Sequence, residues 1–408
     1  MPPAHSNKNL AELVCSNSLK SSDIATAGGL LKAELRLLGS LCMEAADKCK
    51  VAAGGALAVD RALFSEAVTK VIFNHPNIEF TTCQVEGFDE SAPTIIAAGP
   101  LVMEPLLSAL QQKLGTALNF YDAAAPIISA DSIDYESAFF QSRYDKGDGE
   151  YINCPLNKIE YEEFLRELVS AKTVILRDFE KGEVFEGCMP VEVMARRGAD
   201  TLRFGPLKPV GLRDKDGKRP YAVVQLRRED AMGQMYNMVG FQTNLTFPEQ
   251  KRVFGLIPAL KNAEFLRFGV MHRNSFVNAP VCLNTGFSTK KFSNIFIAGQ
   301  LSGVEGYCES MASGIVAALN MYALLKNMDC ESNRDIKSKN DTAFIPPAET
   351  MIGALTRYIT AENKNFQPMN ANFGLLPAMD IRDKKARKEA IAHRALAAME
   401  NYLLLFGI

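Results

Sequence analysis

Apolar positions recur at helical spacing through Leu31, Leu35, Leu38, Leu41 and Cys42, which predicts a helix from Leu30 to Lys48; a second begins at Asp60 and continues through Ser65 to Ile72. Ile78 to Cys83 and Thr94 to Ala98 are short apolar or β-branched runs that predict strands, the second breaking at Ala98-Gly99-Pro100 before another helix. This is the rhythm of a layered α/β sheet. Between Leu118 and Arg267 the pattern changes. Alternating segments such as Tyr221 to Leu226 and Tyr236 to Thr243, joined by a charged turn containing glycine, predict an antiparallel hairpin, and a helix at Tyr161 to Ala171 interrupts them. The α/β pattern then returns. Asn294 to Ala298 predicts a buried strand running into Gly299-Gln300, and after Gly303 and Gly306 a long helix starts near Glu309, with Ser310, Ser313, Gly314 and Ala317 keeping one face small. Glu331 to Asp341 reads as a polar linker and Asp383 to Leu405 as a terminal helix. The expected division is an α/β domain in two parts, 1–117 and 268–408, with an inserted α+β domain at 118–267.

Charge narrows the function classes. With 45 Lys plus Arg against 47 Asp plus Glu in 408 residues, the chain carries a net charge of −2, which excludes a globally basic nucleic-acid binder; any surface for a polyanion has to be local. One candidate is Ala195 to Asp230, where Arg196, Arg197, Arg203, Lys208, Arg213, Lys215, Lys218, Arg219, Arg227 and Arg228 outnumber five acidic residues. A solvated face of mixed sign is the plainer reading of the same stretch. The first residues, Met1 to Asn9, have neither a basic start nor an apolar signal core, and no run approaches roughly 18 uninterrupted apolar residues. A cytoplasmic protein without membrane contact is expected.

Nine cysteines, an odd number without a C-x-x-C pair, argue against both a disulfide framework and a zinc ribbon, so no metal is expected. Most should be small buried residues. Two have unusual neighbours. Cys15 lies in Val14-Cys15-Ser16-Asn17-Ser18, among hydroxyl and amide groups that stabilise a thiolate or position a ligand. Cys188 follows Gly187 and precedes Pro190, which can open a helix from Val191 to Arg197, and a thiolate at a helix start is favoured by free N–H groups and the helix dipole. For each, a packed structural cysteine is the alternative. The loop from Gly299 to Gly306, ahead of a helix, is a ready anion site or simply a close helix-to-strand contact.

Several blocks resemble one family. They are Ala11 to Leu19, Gly54-Gly55-Ala56-Leu57-Ala58-Val59-Asp60-Arg61, Tyr121 to Pro126, Ser142-Arg143-Tyr144-Asp145-Lys146-Gly147, Phe185 to Pro190, Gly269 to Asn274, Gly299 to Gly314 and Asn365 to Gly374. The family is that of the bacterial folate- and FAD-dependent tRNA uracil-5 methyltransferases, and the resemblance runs in register from His5 to the C-terminus. It implies a Rossmann-like FAD-binding domain and the formation of 5-methyluridine at position 54 in the T-loop of tRNA. The carbon donor would be 5,10-methylenetetrahydrofolate, with reducing equivalents from NADPH or NADH through FAD. It also implies that Cys188 is the nucleophile toward the uracil and that Cys15 lies by the flavin and takes part in a covalent enzyme intermediate. The chemistry agrees, because uracil C5 becomes nucleophilic only after a soft thiolate adds at C6. Gly299, Gln300, Gly303, Glu305 and Gly306 are the expected flavin loop. Tyr307 and His272 are candidate partners of the pterin ring, with a structural role for His272 as the alternative, and Asn370 and Asn372 either meet ring edges or brace a turn.

The chain departs from the family pattern in one respect. Family members begin with a strand, a G-x-G-x-x-G turn and a helix, whereas this chain starts at Met1-Pro2-Pro3-Ala4-His5, where that unit would end. An N-terminally truncated FAD-binding domain with an unpaired sheet edge is therefore expected. Nothing in the residues separates a tRNA T-arm from a ribosomal RNA loop as partner, or the enzyme from an inactive RNA- or folate-binding remnant. No obligate protein partner is evident.

Overall fold

The computed structural model describes residues 7–115, 118–145, 151–174, 189–331, 343–364 and 366–407. The chain divides into two compact units, one made of Met1–Leu19, Ala45–His75 and Phe120–Arg273, the other of Lys20–Glu44, Pro76–Asn119 and Asn274–Ile408.

The first unit is organised by a six-stranded sheet with the spatial order Phe265–Arg267, Ile127–Ser129, Met235–Met238, Ala222–Arg228, Ile152–Leu156, Phe139–Phe140. Every neighbouring pair is antiparallel. Alternation along the strands sorts their side chains. Ala222, Val224 and Leu226 join Ile152, Cys154, Leu156, Tyr236 and Met238 in one buried apolar cluster, as the period of two requires. Onto that face packs the helix Lys158–Ser170, which opens with a reciprocal cap between Asn157 and Glu160 and buries Tyr161, Phe164 and Leu168. Phe241 stands between Phe164 and Phe254, 6.2 and 5.3 Å from their ring centres. The opposite face is polar. Asn153 lies opposite Gln225 and Asn237 opposite Arg227, and all four are buried.

The strand Ala56–Val59 in this unit leads into the helix Arg61–Phe73. Asp60 is its N-cap, accepting from Ala62 N and Leu63 N at 3.0 Å each, while its second oxygen accepts from Ala231 N at 3.0 Å.

The second unit holds the parallel pair Thr94–Ile96 and Ile295–Ile297. Packed together in the same unit are the helices Ala27–Leu37, Tyr307–Glu331, Met351–Thr360 and Lys384–Phe406. Leu30, Leu31, Leu35, Val316, Met351, Ile352 and Ala395 are among the fully or nearly fully buried residues here. Within Tyr307–Glu331, the stretch Tyr307–Lys326 is long and apolar enough to cross a membrane by length and composition. A search for uninterrupted apolar runs passes over it because Glu309, Ser310, Ser313 and Asn320 break the run. Asn320 works as a core residue: its amide donates to Val316 O and Phe344 O, and its oxygen accepts from Phe344 N.

Two expected elements change. The single helix over Leu30 to Lys48 is two, Ala27–Leu37 and Leu41–Lys48, because Gly39 takes a left-handed φ of 63° and ends the first. Ile78 to Cys83 forms no strand, and its side chains are exposed, so its β-branched residues have no surface to pack against.

Glu34 ties two of these helices together. Its carboxylate is fully buried and accepts from Met351 N and Ile352 N, at 2.7 and 2.8 Å, at the start of Met351–Thr360. Burial pushes its pKa up to about 8, against the two N–H donors, which favour the charged form. A carboxyl raised above its unfolded value of 4.5 holds its proton longer in the folded state. Its contribution to stability is therefore fully present below that value and is lost as pH rises to about 8. In urea titrations, Glu34→Gln should gain stability relative to the parent between pH 5 and pH 8; a difference that does not change with pH would exclude Glu34 as the source.

Candidate active site

In the first unit the site begins with the loop that carries Cys15. Its anchor is Asn17, fully buried, whose amide donates to Val59 O and Arg228 O at 3.0 Å each and to Glu229 O at 3.4 Å. Its oxygen accepts from Arg227 Nε at 3.1 Å, and Arg227 Nη2 donates to Ser16 Oγ at 2.8 Å. Arg227 thus grips both residues that follow Cys15. Burial lowers its pKa from the ordinary value, while Glu229, Tyr151 and Cys15 act in the opposite sense. On the other side of the loop, Arg61 donates to Leu13 O and to Val14 O, and Arg267 Nη1 to Val14 O at 3.0 Å. Arg61 is itself held by Glu229, with Nε 3.0 and Nη2 2.9 Å from Oε2.

The half-buried Cys15 therefore sits in a loop whose flanking residues on both sides are held by three arginines. The expected hydroxyl and amide neighbours are present, but their role is to fix the loop. Arg61, Arg227, Glu229 and Arg267 were not visible as site residues in the sequence. Arg227, counted there as local surface charge, departs from that expectation: it is buried at 8% exposure. Arg203 is also accounted for within the protein, pairing with Asp200 at 2.6 Å and lying 3.7 Å over the Tyr221 ring.

Cys188 lies outside the described residues, but the segment just after it is well anchored. Met189 and Val191 are buried, Pro190 caps the helix Val191–Arg196, and Val191 N donates to Gln242 O at 2.7 Å. Glu192 reaches across to accept from Thr243 Oγ1 at 2.9 Å and Asn244 N at 2.8 Å. Burial raises its pKa, the hydrogen bonds opposing. Among the other described cysteines, burial raises the thiol pKa of Cys42 and Cys154, and pushes Cys282 and Cys308 up to about 12. Such thiols stay protonated and are poor nucleophiles.

The second unit contains the glycine loop. Gly299 (φ 70°), Gly303 (φ 93°) and Gly306 (φ 123°) all lie in the left-handed region, immediately before Tyr307–Glu331. They differ in what surrounds them. A Cβ at Gly303 would stand 2.5 Å from the Phe366 ring and one at Gly306 2.3 Å from the Glu309 carboxylate, so both serve close packing within the protein. A Cβ at Gly299 would meet nothing within 4 Å. Its backbone is open to a ligand while Gly299 N is held by Ser313 Oγ at 2.8 Å.

Gln300 donates through Nε2 to Glu305 Oε2. Glu305 N in turn donates to Met369 O and Met369 N to Gly303 O, which draws Asn370 and Asn372 to the loop. Ala371 N donates to Glu309 Oε1 at 3.0 Å, and Lys20 Nζ lies 3.1 Å from the same oxygen. Asn372 braces a turn, its oxygen accepting from Gly374 N. Asn370 is half-buried beside it, and Tyr307 is the first residue of the long helix. His272 lies in the strand Met271–Phe276 and belongs to the first unit, with its side chain outside the described set. An open backbone at Gly299 followed by the N-terminus of a 25-residue helix fits a flavin, whose electron-rich oxygens such an end favours.

Residues 3–329 match the family described as Glucose inhibited division protein A. The chain is 52% identical over 406 residues to the Methylenetetrahydrofolate--tRNA-(uracil-5-)-methyltransferase TrmFO of Halalkalibacterium halodurans, covering 98% of this chain and 90% of that protein. It is 51% identical over 413 residues to the protein of the same name from Desulfitobacterium hafniense, covering 100% and 92%. Among solved structures, Aquifex aeolicus GidA in its form I and form II crystals superposes with TM-scores of 0.63 and 0.61 at 15% identity. These superpositions cover 96% of this chain and 70% and 67% of the other, and they establish a shared mixed α/β fold. Half of all positions identical over nearly the full length is a stronger tie than fold, and with it the chain belongs to the TrmFO family of methylenetetrahydrofolate-dependent tRNA (uracil-5-) methyltransferases.

Proposed function

We propose that this chain methylates C5 of uridine 54 in the T-loop of tRNA in the cytoplasm, using 5,10-methylenetetrahydrofolate, FAD and NADPH or NADH. The observation that carries the reading is the 51–52% identity to proteins named for this reaction, over 98–100% of the chain. We also read 118–267 as an α+β domain inserted into a Rossmann-like FAD-binding fold. Supporting this, all six strands of the antiparallel sheet fall inside those limits, and both strands of the parallel pair fall outside them.

In this reading Cys188 supplies the nucleophile. Its sulfur forms a bond to C6 of the uracil, and the C5–C6 π electrons move into the ring as an enolate, making C5 able to attack a one-carbon electrophile. C5 then gives up its proton to a general base, and its C–H electrons restore the C5–C6 double bond as the sulfur leaves C6 as a thiolate. Glu192 and its bonds to Thr243 and Asn244 hold the segment that follows the nucleophile. Cys15, clamped by Arg61, Arg227 and Arg267, is the second reactive thiol. Gly299, Gln300, Gly303, Glu305, Gly306 and Tyr307 would hold FAD, with His272 and Asn370 toward the folate. FAD, when bound, supplies the reducing equivalents that turn a one-carbon unit at the formaldehyde level into a methyl group.

Mass spectrometry of nucleosides from a tRNA transcript incubated with the protein and its co-substrates tests the reading. 5-Methyluridine should form with the parent chain and be absent with Cys188→Ala, which should keep the parent's visible flavin spectrum. Product from Cys188→Ala would remove that residue as nucleophile, and no product from the loaded parent would overturn the function. A second outcome concerns Cys15. Asn17→Ala strips three carbonyls and Arg227 of their partner and should cost about 2–4 kcal/mol of stability. It should also change the alkylation rate of Cys15 by iodoacetamide, followed by peptide mapping, at least severalfold. An unchanged rate would mean that the clamp does not set the thiol's environment.

A further inference from the structure

Along one edge of the first unit's sheet, the aromatic and basic side chains form a strip that the chemistry at the cysteines does not use. The edge strand Phe139–Phe140 is two residues long. The Tyr135 and Phe140 rings are stacked, 5.9 Å between centroids and 10° apart in plane, and are 40% and 58% exposed. Tyr144, further along, is 60% exposed although its backbone lies in the left-handed region at φ 59°. Its N–H donates to Gly211 O at 3.1 Å, and its ring lies so close to Gly211 that a Cβ there would come within 2.9 Å of it. A disfavoured backbone conformation, held by a glycine that must be a glycine, keeps an aromatic face turned toward solvent.

Beside these rings stand three cations whose hydrogen bonds go to neutral acceptors. Arg143 donates from Nε to Gln225 Oε1 and from Nη1 to Val210 O, both at 2.8 Å, and Nη2 has no partner among the described residues. Gln225 is fixed in turn by donating to Asn153 Oδ1 at 2.8 Å. Arg213 Nη1 donates to Gly217 O, and Lys215 Nζ to the carbonyls of Tyr135 and Glu136. The nearest carboxylate to Lys215 is that of the fully exposed Glu136, at 3.9 Å. Burial lowers the Arg143 pKa from its ordinary value, with Tyr144 and Tyr151 opposing; a guanidinium short of hydration gains most from an anion. Arg143 and Tyr144 line a cavity of about 250 Å³ together with Gly54 and Gly55, and the stacked pair borders an open groove of about 580 Å³.

We propose that this strip holds single-stranded nucleotides of the RNA substrate, a phosphate on Arg143 and bases on Tyr144 and on the Tyr135–Phe140 stack. Exposed aromatic faces alternating with cations suit a nucleic-acid strand, since every base has a face to stack and every link a charge. A fork with one free edge suits a phosphate oxygen. Gln225, which holds Arg143, and Arg227, which holds the Cys15 loop, share one face of the same strand two residues apart, about 7 Å, so the strip and that loop are fixed by one strand. The inference rests on the reaction proposed above and adds where its RNA is held.

Fluorescence anisotropy of a labelled T-arm hairpin across a salt series tests it. Arg143→Gln should weaken binding about tenfold and flatten the slope of log Kd against log salt by about one. Arg143→Lys should keep the slope and lose a few-fold in affinity, and Tyr144→Ala should lose about fivefold or more with the slope unchanged. Exchange of the distant, exposed Arg166 for Gln should change neither, and thermal melts identify any variant that has not folded. Parent-like Kd and slope in the folded Arg143 and Tyr144 variants would overturn the strip while leaving the proposed reaction standing. So would an Arg143→Gln variant that binds RNA normally but has lost affinity for polyglutamylated tetrahydrofolate. Failure of the parent to bind the hairpin would overturn both.

Discussion

A guanidinium removed from water costs free energy that hydrogen-bond acceptors must offset, wherever in the chain they come from. Arg227 imposes that demand on the first unit. Its neighbours in sequence are strand residues of the central sheet, yet its partners, Ser16 and Asn17, lie some 210 residues away. The N-terminal segment is thereby bound to the sheet through the residues that flank Cys15. Asn17 answers the same requirement for three backbone carbonyls at once, and Glu229 answers it for Arg61. Stability of the unit and placement of the Cys15 loop are one network.

The local part of this architecture was legible in sequence. Asp60 as a helix start, the hairpin of Ala222–Arg228 with Met235–Met238, and the helix after the glycine loop all follow from caps and periods that act over a few residues. Cys15 stood out because Ser16 and Asn17 are unusual company for a cysteine. What periodicity cannot report is which polar face is covered. Gln225 and Arg227 alternate with Val224 and Leu226 as they would on a solvent-exposed strand, and only the long-range return of residues 13–17 puts Arg227 inside. Glu34 was hidden for the same reason, since its partners are the N–H groups at the start of a helix more than three hundred residues away. Gly39 was a local signal, and its left-handed turn divides what the apolar spacing joined.

Net charge proves a poor guide to where a polyanion would be welcome. The richest run of basic residues spends Arg227 on the interior and Arg203 on Asp200 and Tyr221. Elsewhere Arg252 is divided between Glu167 and Glu249. Arg143, Arg213 and Lys215, by contrast, are fixed by amide and carbonyl oxygens, which orient a cation without cancelling it. A chain of net charge −2 can in this way leave individual cations without a close carboxylate partner.

The short edge strand Phe139–Phe140 has a second meaning. Sheet edges are templates on which identical chains can stack into fibres, and an edge carrying exposed aromatic rings is especially prone to it. Here only two residues offer a ladder, and Arg213 and Lys215 stand beside them. Two copies brought edge to edge would set these cations against each other, whereas a polyanion meets the same surface without that penalty. The same cations that would welcome a polyanion thus discourage the edge from pairing with its own kind.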